Sequence, residues 1–84
     1  MHVGSIRNPG TAAGRVYDVL RSRCGDWLSG WDLTTAARTT AIGTRISEIR
    51  AQLPQGQRIE HSPRPSPHYA RGSWYRLLLA IEED

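Results

Sequence analysis

Residues 41–53, AIGTRISEIRAQL, decide the fold of this chain. Four apolar side chains recur in this stretch at helical spacing, and at about 100° per residue they fall within roughly 60° of one another. We therefore predict a helix over residues 41–53 that turns an apolar stripe toward a core. Pro54 and Gly56 follow directly and end the helical pattern. The stripe consists of Ile42, Ile46, Ile49 and Leu53.

The opposite face of this predicted helix carries mostly short polar side chains. A helix that meets only solvent more often carries long Glu, Lys and Gln side chains. The short side chains therefore indicate a surface that approaches another molecule closely. The face consists of Thr40, Thr44, Ser47, Glu48 and Ala51, with Gly43 and Arg50 on one flank and Ala41 and Arg45 on the other.

Two shorter helices are predicted upstream. The first runs from an N-cap at Thr11 to about Arg23 and has an amphipathic apolar stripe. The second covers residues 30–37 and begins after a Ser29 cap. The side chains that we expect the second helix to bury are Trp31, Leu33 and Ala37.

The segments between the helices are short. Residues 26–29 are too few for a helix and fit a small edge strand or an extended link. Residues 38–40, Arg-Thr-Thr, form a turn, and Thr40 is a candidate N-cap for the helix over residues 41–53.

Beyond Gly56 the apolar spacing changes to two, which is typical of β-strands. Residues 57–61 and 73–79 each fit one strand. Between them lies PRPSPHYARG, residues 63–72, whose alternating prolines cannot donate ladder hydrogen bonds and hold a loop extended and stiff. The order of elements predicts an α+β fold, a winged helix-turn-helix of three helices with a small antiparallel β-hairpin as the wing.

The 84 residues have the length of one domain. We assign residues 1–10 to a flexible N-terminal arm, 11–81 to the winged helix-turn-helix domain and 82–84 to an acidic tail. No apolar run approaches the roughly 20 residues of a membrane span, and the start lacks the apolar core of a signal peptide. Since the one cysteine cannot form an internal disulfide, we expect a cytoplasmic protein.

The charge distribution favours a polyanionic partner. All eleven basic residues are arginine, and three of the eight acidic residues occupy the last three positions. Without that tail, eleven arginines face five acidic residues, a formal charge of +6 on residues 1–81. The arginine fork suits phosphates and guanine edges. Codon usage in a GC-rich genome can account for the missing lysine but not for the scarcity of acids.

The sequence contains no recognisable catalytic or metal-binding constellation. His2, His61 and His68 are scattered, with no acid or nucleophile at a useful spacing, and there is no zinc-ligand spacing or glycine-rich phosphate loop. We expect no enzyme activity, no cofactor and no metal. The tryptophans could be taken for base-stacking platforms, but we expect them to be core and staple residues. They are Trp27, Trp31 and Trp74.

Five stretches resemble a recurrent group of small phage-type winged helix-turn-helix DNA-binding proteins. The most specific is TRISEIR at residues 44–50. The resemblance covers residues 12–79 and implies a domain that binds double-stranded DNA, such as a phage or prophage repressor, antirepressor or excision factor, and not an enzyme. This chain departs from the pattern in its turn at residues 38–40, which lacks the usual glycine, and in its long proline-rich wing. The other stretches are RVYDVL at 15–20, WLSGWDL at 27–33, RIE at 58–60 and WYRL at 74–77.

In such a fold the helix over residues 41–53 enters the major groove, and the wing over residues 62–73 lies along the backbone or in the minor groove. Free N–H groups at the helix start favour a phosphate, and Gly43 allows close approach. Pairing of Glu48 with Arg45 or Arg50, capping by the threonines and a merely solvated wing are the alternatives. The candidate DNA-binding residues are Arg38, Thr39, Thr40, Gly43, Thr44, Arg45, Ser47, Arg50, Arg64, His68 and Arg71.

A second hypothesis is a winged helix that serves as a protein-interaction or inhibitory module. It is motivated by Glu48 on the exposed face, by the acidic tail and by the apolar run LLLAI at residues 77–81. Because one small sheet does not need all of that run, this C-terminal apolar segment is a candidate homodimer interface. RNA binding is a weaker option, since the chain has no aromatic sheet platform of the kind that stacks bases.

Overall fold

Three helices and three strands follow one another in the predicted order, and they form an α+β winged helix, as predicted. The structure, a computed structural model, describes residues 5–79. The strands make one antiparallel sheet in the order β1-β3-β2. The elements are α1 (Ala12–Ser22), β1 (Leu28–Ser29), α2 (Gly30–Ala37), α3 (Ile42–Arg50), β2 (Gln57–Ser62) and β3 (Trp74–Leu79).

The first two helices begin at the caps that the sequence predicts. The Thr11 side chain accepts a hydrogen bond from the Gly14 N–H at the start of α1. At the start of α2, the Ser29 side chain accepts from the Asp32 N–H, and the Asp32 carboxylate accepts from the Ser29 N–H at 3.0 Å. This capping box satisfies two donors that would otherwise be free, and it fixes where α2 begins.

The third helix is shorter than predicted and starts without a side-chain cap. It covers nine residues rather than 41–53, and its N-cap position is Ala41, so the prediction of Thr40 as the cap is wrong. The helix ends early because the Gln52 N–H bonds to the Ile49 carbonyl in a tighter turn. Leu53 then precedes a proline, where helical backbone is disfavoured.

The core lies between the three helices and the inner face of the sheet. Ile46 is 2% exposed and Ile49 is fully buried, which confirms the apolar stripe of α3, and Leu53 packs partly buried against the same core. Leu77 of β3 and Leu33 of α2 are also fully buried. The α3 helix is therefore anchored to the rest of the domain by its own side chains. Within residues 5–79, no helix is both long and apolar enough to cross a membrane.

The three tryptophans do not form part of the buried core. Trp31 is 76% exposed, so the prediction that α2 buries it is wrong. Leu33 and Ala37 face the core one helical turn apart, and a residue two positions before Leu33 lies about 200° around the helix. Trp27 and Trp74 are half-buried.

The segment before α1 packs against the domain. Ile6 is 4% exposed within the core, and its N–H donates to Gln52 Oε1 at 3.1 Å. The carbonyl oxygen of Asn8 lies so close to α1 that a Cβ at Gly14 would collide with it. Residues 5–10 of the predicted arm thus contact the domain through Ile6 and Asn8. Residues 1–4 and the predicted acidic tail, 82–84, lie outside the described residues.

Candidate nucleic-acid interface

The exposed side of α3 carries the short side chains that the sequence places there. We call Gly43, Thr44, Ser47 and Arg50 the α3 face, and all four are exposed. A Cβ at Gly43 would meet no heavy atom within 4 Å, so internal packing does not require glycine at this position. Within residues 5–79, no side chain accepts a hydrogen bond from the backbone N–H groups of the first turn of α3. The first amides of α3 therefore lack a side-chain acceptor at the positive end of the helix dipole, the end that favours anions.

The turn that leads into α3 holds two residues in the left-handed region. Arg38 has φ 55° and Ala41 has φ 56°. Arg38 takes the left-handed C-cap position of α2, where glycine is usual, which explains how the turn forms without one. The Arg38 side chain is exposed and has no partner within residues 5–79. Thr40 is exposed, while Thr39 is half-buried and its hydroxyl donates to the Thr40 carbonyl at 3.4 Å.

Arg45 and Glu48 pair with each other on α3. Arg45 Nη2 donates to Glu48 Oε2 at 3.2 Å, and Arg45 Nε lies 3.2 Å from Oε1 as an ion pair without hydrogen-bond geometry. Their side chains are only 24% and 26% exposed. The structure therefore shows the internal pair, one of the alternatives that the sequence leaves open. Glu48 is not an unpaired anion, and Arg45 is not a free cation.

Arg50 joins α3 to the sheet. Its Nη2 donates to the Ile59 carbonyl at 3.1 Å. Since β2 is an edge strand, such outward carbonyls have no strand partner, and the guanidinium satisfies one of them. Arg50 remains exposed and is thus a cation held in one position.

The wing, residues 62–73, is braced from within. The Arg64 guanidinium donates to the Tyr69 carbonyl and to the Pro67 carbonyl, each at 2.9 Å. The Trp74 indole N–H donates to the Ala70 carbonyl at 2.8 Å, and its ring meets the Tyr69 ring edge-on at 4.8 Å. The loop is therefore held by an arginine fork and an aromatic pair as well as by its prolines.

Arg71 and His68 project freely from this braced loop. Both residues are exposed, and neither side chain has a partner in the part of the chain that the structure describes. Arg71 directly precedes Gly72, whose N–H bonds to the Pro63 carbonyl at 2.9 Å and closes the base of the loop. The wing therefore contains one arginine that is bound within the loop, Arg64, and one that has no partner within residues 5–79, Arg71.

Two arginines and one glutamate form a cluster on the outer face of the sheet. Arg76 Nε donates to Glu60 Oε1 at 2.8 Å, and Arg58 Nη2 lies 3.1 Å from Oε2. The Arg76 guanidinium also covers the Trp27 ring, 4.5 Å from its centroid. The hydrogen bond from Arg76 lowers the pKa of Glu60 below its ordinary value, against a smaller opposing effect of desolvation, and Arg58 adds to the lowering. The carboxylate is thus ionised at neutral pH and cancels one of the two cations.

Trp31 lies beside the base of the wing, which the sequence analysis did not foresee. The Gly30 N–H donates to the Ser73 carbonyl at 2.9 Å, and Ser29 pairs with Trp74 in the sheet. The two-residue spacing between Trp31 and Leu33 is the sequence feature that could have indicated an exposed Trp31. The position of Trp31 next to the wing depends on the pairing of β1 with β3.

Within residues 5–79, no three His, Cys, Asp or Glu side chains are grouped so that they could hold a metal ion. Comparisons of the chain with protein-family models, with curated proteins and with solved structures found no match.

Proposed function

We propose that this protein binds double-stranded DNA, with α3 in the major groove and the wing along the backbone or in the minor groove. The proposal is carried by one observation: a core-anchored helix presents a face of short side chains and an uncapped N-terminus in the same winged helix as a braced basic wing. The major groove is about 12 Å wide and admits a helix. The sequence resemblance adds the class of protein, a phage or prophage regulator such as a repressor, antirepressor or excision factor.

Charge supports a polyanion as the partner. Four of the eleven arginines pair with a carboxylate, namely Arg23, Arg45, Arg58 and Arg76. The other seven have no acidic partner within residues 5–79. Four of these seven belong to the turn before α3, to α3 itself or to the wing: Arg38, Arg50, Arg64 and Arg71. The unneutralised positive charge therefore includes the elements proposed to meet DNA.

The side chains divide into two roles in this proposal. Arg38 and Arg71 are free and long, so they suit phosphates, which position a protein on the duplex without reading its sequence. Thr44 and Ser47 are short and lie on the α3 face, so they can donate to a phosphate or touch the edge of a base pair. Arg50 contributes charge from a fixed position.

The experiment is a titration of a fluorescent random duplex over a series of salt concentrations. With about four to six phosphate contacts, the logarithm of the affinity should fall with the logarithm of salt at a slope of about −4 to −5. Alanine at Arg38 or at Arg71 should weaken binding and reduce the slope by about 0.9 each. Binding that does not depend on salt, or no binding at low salt, contradicts the proposal.

Arg23→Ala is the matched control. It removes the same charge from a side chain that is 59% exposed, but Arg23 pairs with Asp26 at the end of α1. We expect affinity and slope to stay near the wild-type values. An equal loss in this control would indicate a response to net charge rather than a defined interface.

A second candidate function is favoured by Leu79, which is 52% exposed at the end of β3. In this alternative the protein self-associates or binds a protein partner through its C-terminal apolar segment. Mass in solution tests the dimer: Leu79→Asp should convert a dimeric wild type to a monomer. A wild-type protein that is monomeric at micromolar concentration, with the same mass as the variant, rules out the dimer.

A further inference from the structure

We propose that Trp31 is a DNA-contact residue that packs its indole ring against the sugar–phosphate backbone beside the wing. This inference rests on the proposed function, because it assigns a further contact to the same interface. It concerns a residue that sequence patterning placed in the core and that the fold leaves in solvent.

Within residues 5–79, the Trp31 side chain is neither buried nor bonded to another group. It is 76% exposed, and its indole N–H has no hydrogen-bond partner within residues 5–79. The other two tryptophans differ: Trp27 lies under the Arg76 guanidinium, and the Trp74 N–H bonds to the Ala70 carbonyl. An exposed indole leaves apolar surface in water, and a binding partner that covers this surface gains the free energy of burying it.

The position of Trp31 is fixed relative to the wing. The capping box between Ser29 and Asp32 holds the first turn of α2, and the Gly30 N–H bonds to the Ser73 carbonyl at 2.9 Å. The contact between Gly30 and Ser73 is thus the junction between α2 and the wing base. Trp31 directly follows Gly30, and the free Arg71 lies two residues before Ser73. A wing that contacts the DNA backbone brings this junction near the same strand.

A nucleic-acid backbone fits Trp31 better than an apolar protein surface does. The other large hydrophobic side chain that is exposed within residues 5–79 is Leu79, which pairs with Gln57 at the opposite end of β3. Leu79 lies five positions along β3 from Trp74, about 17 Å. Since Trp74 pairs with Ser29, which precedes Trp31 by two residues, Leu79 and Trp31 do not form one apolar patch. An indole combines an apolar ring, which can cover a deoxyribose, with one N–H that a phosphate oxygen can accept.

The expected signature separates this contact from an ionic one. Trp31→Ala should lower the affinity for the random duplex about tenfold while the salt slope stays unchanged, because the lost side chain carries no charge. Arg71→Ala should change both quantities. Trp31→Phe keeps an aromatic ring but loses the N–H, so its affinity should fall between those of the wild type and the alanine variant.

Gln55→Ala is the control, since it removes an exposed, uncharged side chain just before β2, at the end of the sheet far from the wing base. Its affinity should match that of the wild type. The thermal midpoint of Trp31→Ala should also be unchanged, which shows that a loss of binding is not a loss of folding. As an independent readout, duplex should protect wild-type tryptophan fluorescence from acrylamide quenching, and most of that protection should disappear in Trp31→Phe.

The outcomes distinguish the two proposals. If the wild type does not bind duplex at low salt, the proposed function itself fails. If the wild type binds and both Trp31 variants match it, the Trp31 contact is wrong while the proposed function stands. If Trp31→Ala changes the mass of the protein in solution and leaves DNA affinity intact, Trp31 belongs to a protein interface, and the inference is likewise overturned.

Discussion

The α3 helix and the wing are both arginine-containing surfaces, but they are held in place by different forces. The α3 helix is anchored by three buried isoleucines, whereas none of residues 62–73 is buried. The wing keeps its shape through hydrogen bonds within the loop, two of them from Arg64. The position of α3 therefore depends on the global fold, and the shape of the wing depends on a few local polar contacts.

The same comparison shows that the number of arginines overstates the free positive charge. On α3, Arg45 is paired with Glu48 and Arg50 is bound to a strand carbonyl. In the wing, Arg64 is bound to loop carbonyls, and Arg71 is free. An arginine that braces a loop and an arginine without a partner look alike in sequence, and single alanine substitutions distinguish them.

The largest effect is expected from Ile49→Ala, which tests the anchoring of α3. Ile49 is fully buried, so its truncation should lower the free energy of unfolding by about 2–5 kcal/mol, as large apolar deletions in cores do. For a small domain of marginal stability, DNA binding should fall in parallel. Chemical denaturation measures the change, with Leu79→Ala as the exposed control. A loss below about 1 kcal/mol would mean that the core does not hold α3 as described.

Arg64→Ala tests the bracing of the wing. We expect the free energy of unfolding to change by less than about 1 kcal/mol, because the lost contacts are exposed. Faster hydrogen exchange should appear at the amides of Tyr69 and Gly72, which close the loop. DNA affinity should fall further than in Arg71→Ala, since shape and charge are both lost. Arg64→Lys should not restore the slow exchange, because an ammonium cannot reproduce the two-pronged fork.

The distinction between an α3 held by the core and a wing held by local hydrogen bonds is wrong if Arg64→Ala destabilises the whole domain as much as Ile49→Ala does. Global unfolding would then show that the wing contributes to the cooperative core. Unchanged exchange at Tyr69 and Gly72 would show instead that the prolines alone hold the loop.

Gly43→Ala should change stability and binding in opposite directions. A helical Gly→Ala change gains about 1 kcal/mol when the new methyl meets free space, as it does here. The same methyl should weaken DNA binding if the α3 backbone approaches the duplex closely. Gly14→Ala is the matched control: it should destabilise the domain, because its methyl would collide with the Asn8 carbonyl. Tighter binding by Gly43→Ala would contradict close approach.

The smallest effect is expected at Glu60, outside the two compared regions. Because the pKa of Glu60 is lowered in the folded protein, its contribution to stability is fully present above the ordinary value of 4.5 and is lost as pH falls through the lowered value. The stability difference between the wild type and Glu60→Gln should therefore shrink as the solution is acidified below about that value. Denaturation curves from pH 7 to pH 3 measure it. A difference independent of pH would show that the ionic contacts with Arg76 and Arg58 contribute nothing.

Much of the fold could be predicted because it depends on neighbours along the chain. The caps at Thr11 and Ser29, the period of α3 and the change of period after Gly56 are local features, and the structure contains all of them. The error at the start of α3 also has a local cause. The uncapped start of α3 depends on a left-handed Ala41, which no propensity favours.

By itself, the sequence determined the order of the elements and the core stripe of α3, because spacing and caps act within one or two helical turns. Only the tertiary structure decided which arginines are free and where Trp31 lies. Arg50 meets Ile59 nine residues away, Arg76 meets Glu60 sixteen residues away, and Ile6 meets Gln52 forty-six residues away. Such contacts form only when separate elements pack together, and they leave Arg38, Arg71 and Trp31 exposed at the proposed interface.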